Sequence, residues 1–318
     1  MKLSKLGEFG LIQRIRKKHT CLSPGVITAI GDDTAVVTIK DRNTLITSDM
    51  MIEGVHFDLS FTTFSQLGYK FLAVNISDIF AMGGRPDYFF ISIGIPEDLD
   101  VNSIDELYSG IDKIARTFGI AITGGDTCAS RSGLVLSGTL VGHGEKIVTR
   151  SGARPGDGIF VNSTLGDSAM GLHLLKKRRR RVNRFSPLSH SMKLMKKHLM
   201  PVPVPLENRA PISSMIDVSD GLLSDLSHIC EESGKGAVIY EDRIPLSRAL
   251  LATAKRLGKD PLEFAFKGGE DYTLLFTAPS DYHGSAYRIG EIISKGRYII
   301  DGKGIKRTFK PEGYEHFK

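Results

Sequence analysis

Short motifs that place an acidic residue beside glycine or serine recur along this chain, and most of them lie in predicted turns. Six of them carry the argument: Gly31-Asp32-Asp33, Ser48-Asp49, Ser77-Asp78, Gly124-Gly125-Asp126-Thr127, Asp217-Val218-Ser219-Asp220-Gly221 and Gly268-Gly269-Glu270-Asp271. Several adjoin apolar runs that are typical of strands. Oxygen ligands at strand ends suit Mg²⁺, which usually also binds phosphate oxygens of a substrate. The pattern therefore predicts a site in which several metal ions assist phosphoryl transfer.

A single aspartate in a turn is more often structural, because aspartate caps helices and forms Asx turns. The functional interpretation rests on the number of carboxylates that could act together: Asp33, Asp49, Asp78, Asp126, Asp217 and Asp220. The Gly124-Gly125 pair would let the backbone approach a phosphate closely. Ser219 precedes a predicted helix, where its hydroxyl could cap the helix or contact an anion.

Several other classes of site are excluded by their missing signatures. The chain has no Gly-x-x-x-x-Gly-Lys-Ser/Thr loop and no protein-kinase His-Arg-Asp or Asp-Phe-Gly set. It also lacks the His-Glu-x-x-His motif of zinc proteases and the Gly-x-Ser-x-Gly motif of serine hydrolases. A P-loop, protein-kinase, zincin or nucleophile-elbow mechanism is therefore not expected.

Alternating strand and helix patterns predict an α/β chain. In the first half we expect a helix over 5–18, strands over 34–40, 44–48 and 88–95, and a helix over 65–82 that ends at Gly83-Gly84. Asp41-Arg42-Asn43 reads as a turn. A capping box at Ser103 and Glu106 predicts a helix to Gly119, followed by a strand over 120–123, a Gly-Gly-Asp turn and a strand over 134–142. In the second half we expect strands over 158–162 and 272–277 and helices over 165–176, 189–199 and 221–233.

The chain has 318 residues, of which 41% are hydrophobic. A single core usually stops growing at about 250–300 residues, so two domains are expected. The loop over 151–158 is rich in glycine and contains a proline, which marks the preferred boundary. We therefore predict an N-terminal domain over 1–150 and a C-terminal α/β domain over 151–318.

The formal net charge is +6, and the run Lys176–Arg181 by itself equals that excess. This run could bind nucleic acid, but interleaved aromatics are missing, so a solvated helix end followed by a flexible loop is the preferred interpretation. The three cysteines lie far apart, which fits a reducing cytoplasm. We expect no signal peptide, no membrane span and no nucleic-acid partner.

Three further residues have an ordinary and a functional interpretation. His56 is either a turn histidine or a contact to phosphate or substrate. Arg150 is either a loop arginine or a phosphate clamp. Tyr314 could stack on a substrate ring or pack on the core.

Taken in order, the motifs resemble the thiamine-monophosphate kinase family of the aminoimidazole ribonucleotide synthetase superfamily. Beyond the acidic motifs, the resemblance rests on these segments: Gly7-Glu8-Phe9, Glu53-Gly54-Val55-His56-Phe57, Ala73-Val74-Asn75-Ile76, Ala81-Met82-Gly83, Thr149-Arg150-Ser151-Gly152, Gly166-Asp167-Ser168-Ala169 and Gly313-Tyr314-Glu315-His316-Phe317. It spans nearly the whole chain. One departure is Ser48, where threonine is frequent, although either hydroxyl can bind a metal.

The resemblance implies a two-domain fold in which the N-terminal domain (1–150) binds ATP and metal and the C-terminal α/β domain (151–318) completes the active site. It also implies that the N-terminal mixed sheets of two chains pair into a barrel, giving a homodimer. It implies direct transfer of the γ-phosphate of ATP to thiamine monophosphate, giving thiamine diphosphate and ADP without a phosphoenzyme. Magnesium ions would be held by Asp33, Thr47, Ser48, Asp49, Asp78, Asp126, Asp217 and Asp220. ATP would contact Tyr108, Gly125, Asp126, Arg150 and Ser219, and thiamine monophosphate would contact His56, Glu270 and Tyr314. No general base is expected, because the acceptor is a phosphate oxygen that is largely ionised.

Three alternatives remain open from the residues. Another enzyme of the superfamily is the nearest, although Cys21 lacks the glycine-rich setting expected of selenophosphate synthetase. Aminoimidazole ribonucleotide synthetase should not carry the Gly-Tyr-Glu-His-Phe segment. A nucleic-acid-binding protein would use Lys176–Arg181. A catalytically silent ATP-binding regulator is disfavoured by the intact set of carboxylates.

Overall fold

The structure is a computed structural model, and it describes residues 26–28, 32–39, 42–206 and 211–317. The helix expected over 5–18 lies outside the described residues.

The strands described before residue 150 form one sheet. They are β1 (Val26–Thr28), β2 (Ala35–Ile39), β3 (Arg42–Ile52), β4 (Arg85–Pro96), β5 (Ala121–Ser130) and β6 (Val135–Gly144). Their order in the sheet is β1-β2-β3-β6-β4-β5. The β4–β5 pair is parallel and the other pairs are antiparallel, so this is a mixed sheet, as predicted.

Two helices, α1 (Phe64–Ala81) and α2 (Val101–Phe118), pack together beside this sheet. A capping box between Thr63 and Gln66 begins α1, one turn ahead of an almost fully buried stretch. The helices cross closely, because a Cβ atom on Gly68 would lie 1.9 Å from the carbonyl oxygen of Leu107. The predicted cap of α2 was wrong: Asp100 caps the helix by accepting from the Ser103 N–H at 3.1 Å.

The second sheet contains strands that follow residue 150. They are β7 (Gly158–Val161), β8 (Ser214–Asp217), β9 (Gly236–Tyr240), β10 (Leu274–Ala278), β11 (Tyr287–Ile293), β12 (Arg297–Ile300) and β13 (Lys306–Thr308). Their order is β13-β12-β9-β11-β7-β10-β8, and only the β9–β12 pair among them is parallel. The accompanying helices are α3 (Asp167–Arg178), α4 (His190–Leu199), α5 (Leu222–Ser233), α6 (Arg248–Leu257) and α7 (Pro261–Lys267).

Two predicted turns are wrong, because the segments belong to strands. Gly124-Gly125-Asp126 continues β5, which pairs with β4 from Ala121 to Ser130. Arg42 and Asn43 lie in β3, opposite residues of β2. In both cases backbone pairing with a neighbouring strand, which is a tertiary contact, overrides the local turn preference.

One hydrophobic core is shared by the two sheets. Phe160 of β7 and Phe276 of β10 stack with ring centroids 5.4 Å apart, and Tyr282 packs against both rings. Together with Met215 of β8, these phenylalanines belong to the same hydrophobic core as α1 and the first sheet. The shared core holds α1 against the edge of the second sheet, where the acidic motifs meet.

Candidate active site

Carboxylates from three distant parts of the chain converge between the two sheets. Asp33 precedes β2, Asp78 lies in the last turn of α1, and Asp217 ends β8. One oxygen from each lies within 4.8 Å of the others. Asp49 of β3 interacts with Asp33 and Asp78. Among the residues that the structure describes, one oxygen each of Asp33 and Asp49 is buried without a hydrogen-bond partner. A buried unpaired carboxylate oxygen is costly, so this arrangement suits a bound cation.

The carboxylates of this cluster are difficult to ionise together. Burial, and then the charge of Asp33, raises the pKa of Asp217 to about 7. The same two causes raise the pKa of Asp49 to about 6. Burial and the surrounding carboxylates raise the pKa of Asp78 well above its ordinary value. A divalent cation would remove this penalty by favouring the charged forms.

Two hydroxyl groups orient the cluster. Thr47 donates from Oγ1 to Oδ2 of Asp78. Ser77 donates from Oγ to Oδ2 of Asp217 at 2.6 Å. Ser48 does not join them: its Oγ lies 3.2 Å from Oγ1 of Thr139. Because successive side chains on a strand face opposite sides of the sheet, Thr47 lies on the inner face and Ser48 on the outer face.

Within one chain, Gly125 and Asp126 lie far in space from the carboxylate cluster. In the sheet, Gly125 is aligned with Ile91 and Gly138, and Gly138 is aligned with Asp49. Three strand spacings separate them, or about 14 Å at roughly 4.8 Å each. A Cβ atom on Gly125 would lie 1.7 Å from the Ile91 carbonyl oxygen, so only glycine fits there. Asp126 is exposed on edge strand β5.

The Ser219-Asp220 turn links β8 to α5 and is held by a buried aspartate that sequence reasoning missed. Oδ2 of Asp225 accepts from the N–H groups of Asp220 at 3.2 Å and Gly221 at 3.0 Å. Its position four residues after Gly221, in the first turn of the helix, was the available signal. The Ser219 carbonyl accepts from the Glu270 N–H at 2.8 Å, so the turn contacts a second predicted site loop.

Arg150 pairs with the first acidic motif. Its guanidinium donates to Oδ1 of Asp33, and its backbone N–H donates to Oδ2 of Asp32 at 3.0 Å. Burial lowers the pKa of Arg150, but these carboxylates outweigh it and raise the pKa above its ordinary value. The Arg150 guanidinium is therefore hydrogen-bonded to Asp33, a predicted metal ligand. Sequence reasoning gave Asp32 no role, although it stands next to Asp33.

The predicted acceptor contacts His56 and Tyr314 are linked by His316, which sequence reasoning did not select. The Tyr314 N–H donates to the Asp220 carbonyl at 3.1 Å. Oη of Tyr314 lies 3.3 Å from Nδ1 of His316, whose Nε2 lies 3.4 Å from Nε2 of His56. The sequence signal for His316 was its place in the Gly-Tyr-Glu-His-Phe segment, which also contains Tyr314. The structure thus brings His56 and Tyr314 beside the Asp220 turn.

Glu270 lies on the loop after α7 with a left-handed backbone, φ 63°. Its carboxylate pairs with Lys70 and His198, two residues to which sequence reasoning gave no role. Tyr272 follows, and burial together with nearby Glu270 and Asp49 raises the pKa of its phenol well above the ordinary value. The phenol therefore lies near both the Glu270 loop and the carboxylate cluster.

Tyr108, a predicted ATP contact, lies on α2, away from the carboxylate cluster. It is partly buried on α2 and packs on the first core. Its neighbour Leu107 touches Gly68, whereas Asp78 lies ten residues further along α1, or about 15 Å at 1.5 Å per residue.

Family models and curated relatives match this chain over most of its length. Residues 31–143 match the N-terminal domain of AIR synthase related proteins, and residues 154–303 match their C-terminal domain. Thiamine-monophosphate kinase of Aquifex aeolicus is 36% identical over 100% of both chains. The Bacillus subtilis enzyme is 32% identical over 98% of this chain and 100% of its own. The chain belongs to the thiamine-monophosphate kinase family.

Solved structures agree as well. A structure described as "AaThiL complexed with AMPPCP and TMP" has a TM-score of 0.88 at 35% identity and covers 99% of both chains. The hydrogenase maturation protein HypE in complex with ATP has a TM-score of 0.64 at 19% identity, over 100% of this chain and 99% of its own, and shows the fold alone. The two-domain fold expected from the resemblance is therefore confirmed.

Proposed function

We propose that this chain transfers the γ-phosphoryl group of ATP to thiamine monophosphate, giving thiamine diphosphate and ADP. The observation that carries the proposal is the convergence of Asp33, Asp78 and Asp217 within 4.8 Å, beside the Ser219-Asp220 turn. The relatives named as thiamine-monophosphate kinases, and the complex with AMPPCP and TMP, support the choice of nucleotide and acceptor.

The donor set fits magnesium. It consists of buried carboxylates and a hydroxyl, with two carboxylate oxygens that have no hydrogen-bond partner in the described part of the chain. The residues proposed to hold Mg²⁺ are Asp33, Thr47, Ser48, Asp49, Asp78, Asp126, Asp217 and Asp220. When bound, the ions would neutralise charge where two anionic substrates meet. Ser48 and Asp126 lie on the outer face of the sheet, so within one chain they would serve a different ion from the buried cluster.

The protein's own residues bind and align the two substrates. An ionised phosphate oxygen of the acceptor attacks the γ-phosphorus of ATP, and the bond to the β–γ bridging oxygen of ADP breaks. Deprotonation by the protein is not required, because the attacking oxygen already carries the charge. Arg150, Ser219, the backbone at Gly125, Asp126 and Tyr108 are proposed to bind ATP. His56, Glu270 and Tyr314 are proposed to bind thiamine monophosphate.

A homodimer is also proposed. No residue of β5 is buried, so a ten-residue edge strand is left uncovered. The outer face of the same sheet exposes Met50, Tyr88 and Phe90, with Tyr88 52% exposed. Long uncovered edges and apolar sheet faces are usually covered by a partner. We expect light scattering to give twice the chain mass, and Phe90→Asp to give the single mass.

We also propose a domain boundary at residue 150. The strands of one described sheet precede the loop over 151–158, and those of the other follow it.

A reducing compartment is also proposed. Cys128 and Cys230 are free thiols, which fits a cytoplasmic protein. No described helix is both long and apolar enough to span a bilayer. The basic run over 176–181 is exposed, but Arg181 donates to the Leu59 carbonyl at 2.9 Å, so its end is attached to the first domain.

The test is to incubate the full chain with ATP, Mg²⁺ and thiamine monophosphate and to measure thiamine diphosphate by chromatography. Product should require Mg²⁺ and disappear in Asp217→Asn, whereas Asp112→Asn on the exposed face of α2 should retain activity. Thiamine and aminoimidazole-pathway substrate serve as acceptor controls. Absence of thiamine diphosphate in a protein that still binds ATP would overturn the proposal.

A further inference from the structure

Two buried basic side chains contact the Glu270 carboxylate from different helices. Nζ of Lys70, on α1, lies 2.7 Å from Oε1, and Nδ1 of His198, on α4, lies 3.1 Å from Oε2. The side chains of Lys70 and His198 are 4% and 5% exposed, whereas that of Glu270 is 29% exposed. Glu270 is therefore the member of this trio that a ligand can reach.

The trio keeps Glu270 ionised. Burial opposes ionisation, but Lys70 and His198 outweigh it and hold the pKa of the Glu270 carboxyl well below its ordinary value. Burial and the Lys70 charge lower the pKa of His198, so its imidazole is neutral near pH 7. Because a carboxylate only accepts hydrogen bonds, the 3.1 Å contact with Glu270 favours the tautomer that carries its proton on Nδ1. Nδ1 also lies 3.1 Å from Oγ of Ser168.

The same face of α1 contacts the metal cluster. Lys70 and Ser77 are seven residues apart, which is close to two full turns, so they share one face about 10 Å apart. Ser77 donates to Asp217 at 2.6 Å, and Lys70 pairs with Glu270 at 2.7 Å. One rigid helix thus contacts both the carboxylates proposed for Mg²⁺ and the loop proposed for the acceptor.

The Glu270 loop needs such support, because its backbone is held in a sparsely populated region. Glu270 has φ 63°, and Tyr272 has φ 48°. Such a conformation persists only where surrounding contacts enforce it. The contacts here are the Glu270 N–H to the Ser219 carbonyl at 2.8 Å and the ion pair with Lys70.

We propose that Lys70 and His198 are positioning residues that hold the Glu270 carboxylate toward the acceptor substrate, so that α1 sets its place relative to the carboxylate cluster. The inference rests on the proposed function, in which Glu270 contacts thiamine monophosphate. In this role the two basic residues act through Glu270 and not on the reacting atoms.

The first variant is Lys70→Met, which keeps much of the side-chain volume and removes the charge. Its matched control is Lys113→Met, because Lys113 is exposed on α2. We expect the KM for thiamine monophosphate to rise about tenfold or more, a change equivalent to loss of one charge-assisted contact, while the KM for ATP stays within about twofold. A purely structural role would instead lower the amount of active enzyme and leave both KM values unchanged.

The second variant keeps the inference falsifiable if Lys70→Met does not fold. Lys70→Met/Glu270→Gln removes both charges, so it leaves no buried ion unpaired. If Lys70 acts through Glu270, the double variant should have the same acceptor KM as Glu270→Gln, within about twofold. A further rise of about tenfold in the double variant would overturn the inference, as would an unchanged acceptor KM in folded Lys70→Met.

Failure of this inference is distinguishable from failure of the proposed function. An unmodified chain that makes no thiamine diphosphate refutes the function itself. If the unmodified chain is active but folded Lys70→Met has an unchanged acceptor KM, or the double variant has a higher acceptor KM than Glu270→Gln, only the positioning role is refuted. His198→Gln, which retains the Lys70–Glu270 pair, is expected to raise the acceptor KM by less than Lys70→Met does.

Discussion

The carboxylate cluster should make the metal-free protein less stable as the pH rises. Asp217 is 2% exposed, and its pKa is raised from 3.8 to about 7. A group whose pKa is higher in the folded state favours folding most below its unfolded pKa. That contribution is lost as the pH rises through the folded pKa, because the folded protein must then bury a charge.

The size of the effect follows from the pKa difference. At 1.36 kcal/mol per pKa unit, ionising Asp217 in the folded protein costs about 4 kcal/mol of unfolding free energy at pH 8. About 2 kcal/mol of this is lost between about pH 5.5 and about pH 8, the rest being lost nearer the unfolded pKa. For a chain of 318 residues, 2 kcal/mol corresponds to a fall in Tm of roughly 3 °C.

The assay is thermal unfolding in EDTA across this pH range, compared with Asp217→Asn. The comparison is needed because burial lowers the pKa values of His198 and His228, and their effect on stability has the opposite sign below about pH 6.5. The asparagine variant retains both histidines, so the difference in slope isolates the carboxylate. Mg²⁺ should raise the Tm of the unmodified protein at about pH 8, because it binds the ionised cluster of the folded state only.

Two results would refute this reasoning. The first is a difference between the unmodified protein and Asp217→Asn that does not change with pH. The second is an equal Mg²⁺-induced rise in Tm at about pH 5.5 and about pH 8, since a cation that replaces protons should bind more weakly where the carboxylates are protonated.

Three other substitutions test separate parts of the site. Asp49→Asn should lower kcat/KM at least about 100-fold yet raise the unfolding free energy of the metal-free protein by about 3 kcal/mol at pH 8, because the folded protein no longer has to bury an ionised group whose pKa is raised to about 6. A lower unfolding free energy in urea would contradict this. Ser77→Ala removes the 2.6 Å hydrogen bond to Asp217 and should cost about 1–3 kcal/mol by the same measurement, whereas an unchanged midpoint would show the bond to be unimportant. Gly125→Ala places a Cβ 1.7 Å from the Ile91 carbonyl oxygen and should cost roughly 1–3 kcal/mol and lower ATP binding measured by calorimetry; wild-type values for both would disprove the close approach.

Much of the secondary structure was predictable, because its signals are local. The helix expected over 65–82 is found at Phe64–Ala81, and the helix expected over 189–199 is found at His190–Leu199. Strands expected over 88–95 and 134–142 are also found. Periodicity of apolar residues and flanking glycines are properties of neighbouring residues, so they can be read without knowing the tertiary contacts. The turn predicted at Gly-Gly-Asp was wrong, because pairing with β4 continues β5 through this segment.

The candidate site divides in the same way. Residue types and motif order identified the carboxylates, and with them the family. The sequence could not show which of Thr47 and Ser48 faces the cluster, or that Asp126 lies about 14 Å of sheet away from Asp49. Strand register decides both, and register depends on partners that are remote in the chain.

The amino-acid sequence by itself determined which side chains can hold cations and which local elements carry them. Only the tertiary structure decided which of them meet. Lys70 and His198 read as an ordinary lysine and histidine in helical segments, 128 positions apart. Packing of α1 and α4 against the Glu270 loop turns them into partners of one carboxylate. Burial then strengthens their interaction, because few water molecules remain to solvate the charges, and no local pattern encodes burial of this kind.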